Sequence, residues 1–151
     1  MKLTDTHCHL NLDAFDQVVE QVLERAQATG VEFILVPGID VETSQAAIDL
    51  AEQYPFVYAA VGFHPNETGR WNDSAADKIQ KMTAHPKVLA VGEIGLDYYR
   101  DRAEKSDQKV ALQDQLKIAA EADLPVVIHN RKAGADLYPI LLDWAKGLCA
   151  S

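Results

Sequence analysis

Cysteine is scarce in this chain of 151 residues: Cys8 and Cys149 stand near opposite ends. Two thiols so far apart make neither a disulfide framework nor a zinc ribbon. Cys8 reads instead as a small apolar residue packed behind its strand. Basic residues are in the minority, 14 against 23 acidic ones, for a net charge of −9. A broad electrostatic grip on nucleic acid needs a basic face, which this balance argues against. It leaves room for a phosphodiester held by metal ions in a pocket. No apolar run approaches the ~18 residues that cross a bilayer, and the opening MKLTDTHCHL lacks the apolar region and cleavage site of a signal peptide. The expected setting is the cytoplasm, with no membrane partner. No run of Ser, Gln or single-sign charge marks a disordered tail.

What the chain has is 48% hydrophobic residues, enough for a real core, arranged in a regular alternation. A short strand over Leu3 to Cys8 comes first. Phe15 to Thr29 carries one apolar stripe at helical spacing (Val18, Val22 and Ala26, with Val19 and Leu23 beside them) and stops at Gly30. Strands follow at Val31 to Val36, Phe56 to Gly62, Val88 to Gly92 and Pro125 to Ile128. Helices fall between and after them. Val41 to Tyr54 has Asp40 or Thr43 as its cap, and Asn72 to His85 has Asp73 or Ser74 near its start. Ala103 to Ala122 has Val110, Leu112, Leu116, Ile118 and Ala119 as its apolar positions, and Lys132 to Lys146 has Pro139 as a kink or break. Gly147 to Ser151 reads as a loop leading to a sixth strand.

Five βα units in a row, with strands apolar on both faces, imply a parallel α/β sheet with right-handed crossovers. No G-x-G-x-x-G or G-x-x-x-x-G-K-[ST] follows a strand, so the usual nucleotide-binding open sheets lose support. A (β/α)₈ TIM barrel takes about 250 residues, and five units in this length match its size per unit. The expected domain is therefore residues 1–151 as the N-terminal part of a TIM barrel, with the edges of strands one and five left unpaired.

Parallel α/β folds carry their sites at the C-terminal ends of the strands. There the chain places His7 and His9, then Phe63-His64-Pro65, then Glu93, then His129. The second strand ends in Pro37-Gly38, with no ligand type, and His85 alone falls outside the pattern. In an extended segment His7 and His9 project to one face while Cys8 points away. An isolated H-x-H is more often a pair of hydrogen-bonded or surface histidines. Glu93 directly after an apolar strand is costly if buried without a cation, and four of five strands delivering His or Glu to one end point to a metal centre. Imidazole and carboxylate donors without thiolate suit Zn²⁺, Mn²⁺, Ni²⁺ or, with more oxygens, Mg²⁺. Two ions sharing Glu93 would activate water and stabilise a phosphoryl displacement. Arg131 is either a bidentate phosphate clamp or a salt-bridge partner of Asp97 or Asp101.

Asp5-Thr6-His7-Cys8-His9, Gly62-Phe63-His64-Pro65, Gly92-Glu93-Ile94-Gly95-Leu96-Asp97 and Pro125 to Arg131 occur in the order of the TatD-family metal-dependent deoxyribonucleases. The chain resembles that family over its whole length. The resemblance implies a barrel hydrolase of the amidohydrolase-like type, acting on DNA phosphodiester bonds, often as an exonuclease, with two divalent metal ions. Carried across by position, it implies that His7 and His9 hold one ion, that Glu93 bridges and is catalytic, and that His129 holds the second. His64 and Arg131 then face the substrate. The family pattern also has a later His and a later Asp that fall beyond residue 151, and it commonly has Cys or Ser where this chain has Asn130. An amidohydrolase of cyclic amides or lactones is the competing reading, but it commonly puts a bridging modified lysine where this chain has Glu93. An aminoacyl-tRNA ester hydrolase shares the scaffold, and a non-catalytic fragment is the reading from a different class.

Overall fold

Apolar runs of five to ten residues, punctuated by Gly, Pro and capped helix starts, give a strict alternation of strand and helix in the computed structural model, which describes residues 2–15 and 17–149. The strands are β1 Leu3–Asp5, β2 Val31–Pro37, β3 Val57–Val61, β4 Val88–Asp97 and β5 Val126–Arg131. The helices are α1 Val19–Ala28, α2 Val41–Gln53, α3 Asp73–Met82, α4 Lys105–Glu121 and α5 Gly134–Cys149. All neighbouring strands are parallel and lie in the order β1-β2-β3-β4-β5, so β1 and β5 are the edges. The architecture is an α/β half-barrel, as five βα units of a TIM barrel require.

Side-chain alternation sorts the strands into two apolar layers. Ile34, Val36, Val57, Ala59, Val61 and Val91 face the helices and pack in one cluster with Leu23, Ile48, Ile79, Leu112 and Leu116. Leu35, Ala60 and Ala90 point to the opposite face, where Phe33 and Tyr58 stack at 4.9 Å between ring centroids.

The boundaries differ from the sequence expectation where polar side chains, rather than hydropathy, decide them. The first strand ends at Asp5, although Cys8 N–H still donates to Leu35 O at 3.2 Å, so the histidine segment runs on beside β2. Helix α1 starts at Val19, after a 3-10 turn at Asp13–Phe15, and Val18 is exposed. Asn72, not Asp73 or Ser74, caps α3 by accepting from Ala75 N–H. Val110 is exposed, and α4 turns Gln108 and Gln115 inward with its apolar residues. Pro139 does not break α5, which runs on through Cys149 and takes up most of the segment expected to be a loop. Ala150 and Ser151 lie outside the described residues. Cys8 packs against the main core as expected.

Strand β4 is longer than its apolar run, continuing through Gly-Glu-Ile-Gly-Leu-Asp to Asp97 with a register shift between Val91 and Ile94. Gly95 makes this possible. Its φ is +151°, and a Cβ there would lie 2.0 Å from His129 O. Only glycine lets β4 and β5 approach this closely, which is what brings Glu93 and His129 together.

Asp40 closes the start of α2 with a reciprocal cap. Its Oδ1 accepts from Thr43 N–H at 2.9 Å while Asp40 N–H donates to Thr43 Oγ1. Arg70 donates to Oδ2 at 2.6 Å. Burial works to raise the Asp40 pKa, but the bonds from Thr43 and Arg70 outweigh it and hold the carboxyl below its ordinary 3.8. Loss of the cap in Asp40→Ala should cost about 1–2 kcal/mol in urea unfolding at neutral pH. A carboxyl held low stabilises the fold above its unfolded pKa, and that stability is lost as pH falls through the folded value. The stability gap between wild type and Asp40→Asn should therefore be full at neutral pH and shrink below about pH 3.8. A gap that does not change with pH would contradict the charge assignment.

Candidate metal centre

Four strand ends converge on Glu93, which is only 7% exposed. Its two carboxylate oxygens face different histidines. Oε2 lies 3.2 Å from His7 Nε2 and 3.3 Å from His9 Nε2. Oε1 lies 2.7 Å from His129 Nδ1 and 4.0 Å from His64 Nε2. Two clusters of ligand-type atoms result, His7–His9–Glu93 and His64–Glu93–His129, each within 4.8 Å.

Hydrogen bonds behind the rings decide which nitrogens carry lone pairs. His9 Nδ1 stands 3.1 Å from Pro37 O, an acceptor only, so Nδ1 bears the proton and Nε2 keeps its lone pair. That lone pair looks directly at Glu93 Oε2, and His7 Nε2 is 3.2 Å from it. A proton on His7 Nε2 or a cation among the three atoms relieves the repulsion between such lone pairs. Atoms bound to one ion at about 2.0–2.1 Å stand about 2.8–3.4 Å from one another, and this triangle has sides of 3.2, 3.2 and 3.3 Å. The donor set fits a divalent cation.

His129 is held in the same manner. Its Nε2 lies 3.3 Å from Asp97 Oδ2 and its Nδ1 2.7 Å from Glu93 Oε1; with the proton of the neutral ring on Nε2, Nδ1 is the nitrogen that a cation beside Oε1 would take. His64 is oriented the other way round. Its Nδ1 accepts from Asn66 N–H at 3.1 Å, which leaves the proton of a neutral ring on Nε2. Burial, and then the charge of His129, push the His64 pKa down to about 4, so the ring is neutral at ordinary pH. His64 therefore presents an N–H donor rather than a lone pair, and that N–H lies 3.1 Å from His129 Nδ1.

The remaining charges follow from this packing. Burial tends to raise the Glu93 pKa, but its close contacts with His129 and His9, and the charge of His64 and His7, hold it well below the usual carboxylate range. The Glu93 carboxylate beside it raises the His129 pKa against the opposing effect of burial. Such a carboxylate stays ionised and ready for a cation across the physiological range.

These side chains line a cleft of about 330 Å³ together with Arg131, Arg100 and Arg102. Arg131 makes neither salt bridge considered for it. Its guanidinium carbon sits 4.0 Å over the Tyr99 ring instead. His85 pairs with Glu52 at 3.1 Å, apart from the cleft. A larger, mainly apolar groove of about 700 Å³ between α4 and α5 holds none of the converging histidines.

Several contributors escape a reading of the sequence. Asp97 is fully buried and orients His129, and its spacing of four from Glu93 along one strand is the signal that finds it. Gln115 clamps the backbone of Phe63 next to His64, accepting from its N–H at 2.6 Å and donating to its carbonyl at 3.2 Å. Seven residues earlier on the same helix, Gln108 does the same for Asp97 at 2.8 and 3.1 Å. Glutamine on a helix carries no signal for such a role. The carbonyl of Pro37, on the strand end without a ligand-type residue, fixes the ring of His9.

The profile of a family described as TatD related DNase matches residues 4–150. The chain is 43% identical over 139 residues to the metal-dependent hydrolase YabD of Bacillus subtilis, covering 92% of this chain and 54% of that protein. It is 36% identical over 148 residues to the 3'-5' ssDNA/RNA exonuclease TatD of Pectobacterium carotovorum, covering 97% and 57%. The crystal structure of YJJV, a TatD homologue from Escherichia coli, superposes with a TM-score of 0.88 at 37% identity, covering 94% of this chain and 56% of that one. The chain thus spans about half the length of the curated relatives it matches.

The ring orientations are open to direct measurement. In a long-range ¹⁵N–¹H correlation spectrum His9 should appear as the Nδ1–H tautomer and His64 as the Nε2–H tautomer, with His64 neutral down to about pH 4. A proton on His64 Nδ1 at neutral pH would overturn its reading as a donor.

Proposed function

From the premise that this chain belongs to the TatD-related DNase family, we propose that it carries the metal site of a hydrolase that cleaves nucleic-acid phosphodiester bonds with two divalent cations. The observation that carries this reading is the division of Glu93 between Oε2, facing His7 and His9, and Oε1, facing His129. One carboxylate is thereby offered to two neighbouring ions.

His7 Nε2, His9 Nε2 and Glu93 Oε2 would hold the first ion, and Glu93 Oε1 with His129 Nδ1 the second. The all-nitrogen-and-oxygen donor set suits Zn²⁺, Mn²⁺, Ni²⁺ or Mg²⁺. Such ions supply activation of water and neutralisation of the charge that builds on the phosphoryl oxygens. Pro37 O and Asp97 keep the two anchoring rings turned so that their free nitrogens stay inside the site. His64 Nε2–H, 3.1 Å from His129 Nδ1 here, would turn to a non-bridging phosphate oxygen once an ion takes the Nδ1 lone pair, a role that needs a neutral ring with this tautomer. Arg131, which pairs with no carboxylate among the described residues, presents its fork to phosphate. The relative from Pectobacterium, named for action on single-stranded DNA and RNA, supports a nucleic-acid substrate.

In the full-length protein, Glu93→Gln should lower kcat/KM for a single-stranded DNA substrate by about a hundred- to ten-thousand-fold, the worth of several kcal/mol of charge stabilisation. Chelation should abolish cleavage, and one of Mn²⁺, Mg²⁺, Zn²⁺ or Ni²⁺ should restore it. Turnover that survives both treatments rules the reading out.

A further inference from the structure

Three arginines share the cleft with Glu93, and among the described residues none forms an ion pair. Arg100 and Arg102 sit on the loop after β4, and Arg131 ends β5. Among the described residues every arginine ion pair belongs to Arg70, which engages Asp40, Glu42 and Glu67. Glu67, another residue of the cleft, is thus already committed to Arg70. In a chain of net charge −9, unpaired guanidiniums gathered beside one carboxylate-centred site form a local field of opposite sign to the whole.

The loop is held rather than loose at its root. Asp97 Oδ1 accepts from Tyr99 N–H at 2.9 Å and from Arg100 N–H at 3.1 Å, while Tyr98 N–H donates to Arg131 O at 2.9 Å. The 54% exposed Tyr99 ring lies 4.0 Å under the Arg131 guanidinium carbon and 4.7 Å from Lys132 Nζ. Stacking on an aromatic face keeps a guanidinium flat and its N–H groups turned outward. The same Asp97 that orients His129 thereby anchors the loop that carries Arg100.

One diester phosphate has two non-bridging oxygens, and the cations that Glu93 would hold, with the His64 N–H, would already address them. Three bidentate forks exceed what that single group can take. We infer that Arg100, Arg102 and Arg131 form a wall for the phosphates that flank the one being cleaved, so that the preferred substrate is a strand of several linked phosphodiesters. Tyr99 is the positioning residue for Arg131. The inference rests on the phosphodiesterase reading and adds to it a length requirement and three residues that set it.

The experiment compares the full-length protein with its Arg100→Gln/Arg102→Gln double variant. Glutamine keeps the side chains polar and removes only charge at two exposed positions. Binding of fluorescein-labelled hexathymidylate is followed by anisotropy in EDTA across a salt series. Each lost phosphate contact on a single strand lowers the slope of log K against log salt by about 0.7, so the double variant should lose about 1.4. In a second measurement, with added Mn²⁺, the wild-type preference in kcat/KM for hexathymidylate over thymidylyl-thymidine, which has no flanking phosphate, should collapse in the variant. An unchanged slope and an unchanged length preference overturn the inference while leaving the phosphodiesterase reading intact. If neither substrate is cleaved with any divalent ion, that reading fails and the length requirement falls with it.

Discussion

A carboxylate taken out of water must be compensated by charge or hydrogen bonds, or it costs several kcal/mol. Glu93, on the central part of β4 and 7% exposed, meets that demand by collecting nitrogens from three other strand ends. Most of the half-barrel's local geometry serves this one group. Gly95 lets β5 close in, the segment after β1 runs on beside β2 far enough to deliver both His7 and His9, and the turn after β3 brings His64 to the edge of the cleft.

The compensation is incomplete in a way that matters. Pro37 O and Asp97 hold one nitrogen each of His9 and His129, which leaves the nitrogen facing the Glu93 oxygens for either a proton or a cation. The site is thereby organised to receive positive charge. The mouth of the same cleft already holds positive charge in Arg100, Arg102 and Arg131. A carboxylate-centred site bordered by guanidiniums that form no ion pair among the described residues gives the cleft a local field opposite in sign to the whole chain.

Much of the architecture was legible beforehand because parallel strands buried on both faces read as near-continuous apolar runs. All five strands and five helices were in place, with errors of a few residues. The errors share a cause. Hydropathy cannot see where a polar side chain caps or clamps a backbone, so it gives no sign of the roles of Asn72, Gln108 and Gln115 and marks β4 only as far as Gly92, before its polar half. His7, His9, His64, Glu93 and His129 were readable as a group because each follows an apolar run, and the half-barrel brings all five to one end. Arg131 was readable as a phosphate clamp but not as a partner of Tyr99, since stacking depends on how two adjacent strand ends face each other.

The order of elements, the parallel sheet and the identity of the ligand-type residues follow from the sequence alone, since periodicity and residue chemistry are local properties. The division of Glu93 between two sets of nitrogens, the tautomers that separate His9 and His129 as lone-pair donors from His64 as a proton donor, and the loop that Asp97 holds beside Arg131 are properties of the tertiary structure. The division of Glu93 and the orientations of His9 and His129 depend on contacts from 28 to 86 residues apart, and no local pattern records which atom of a ring such a contact will claim.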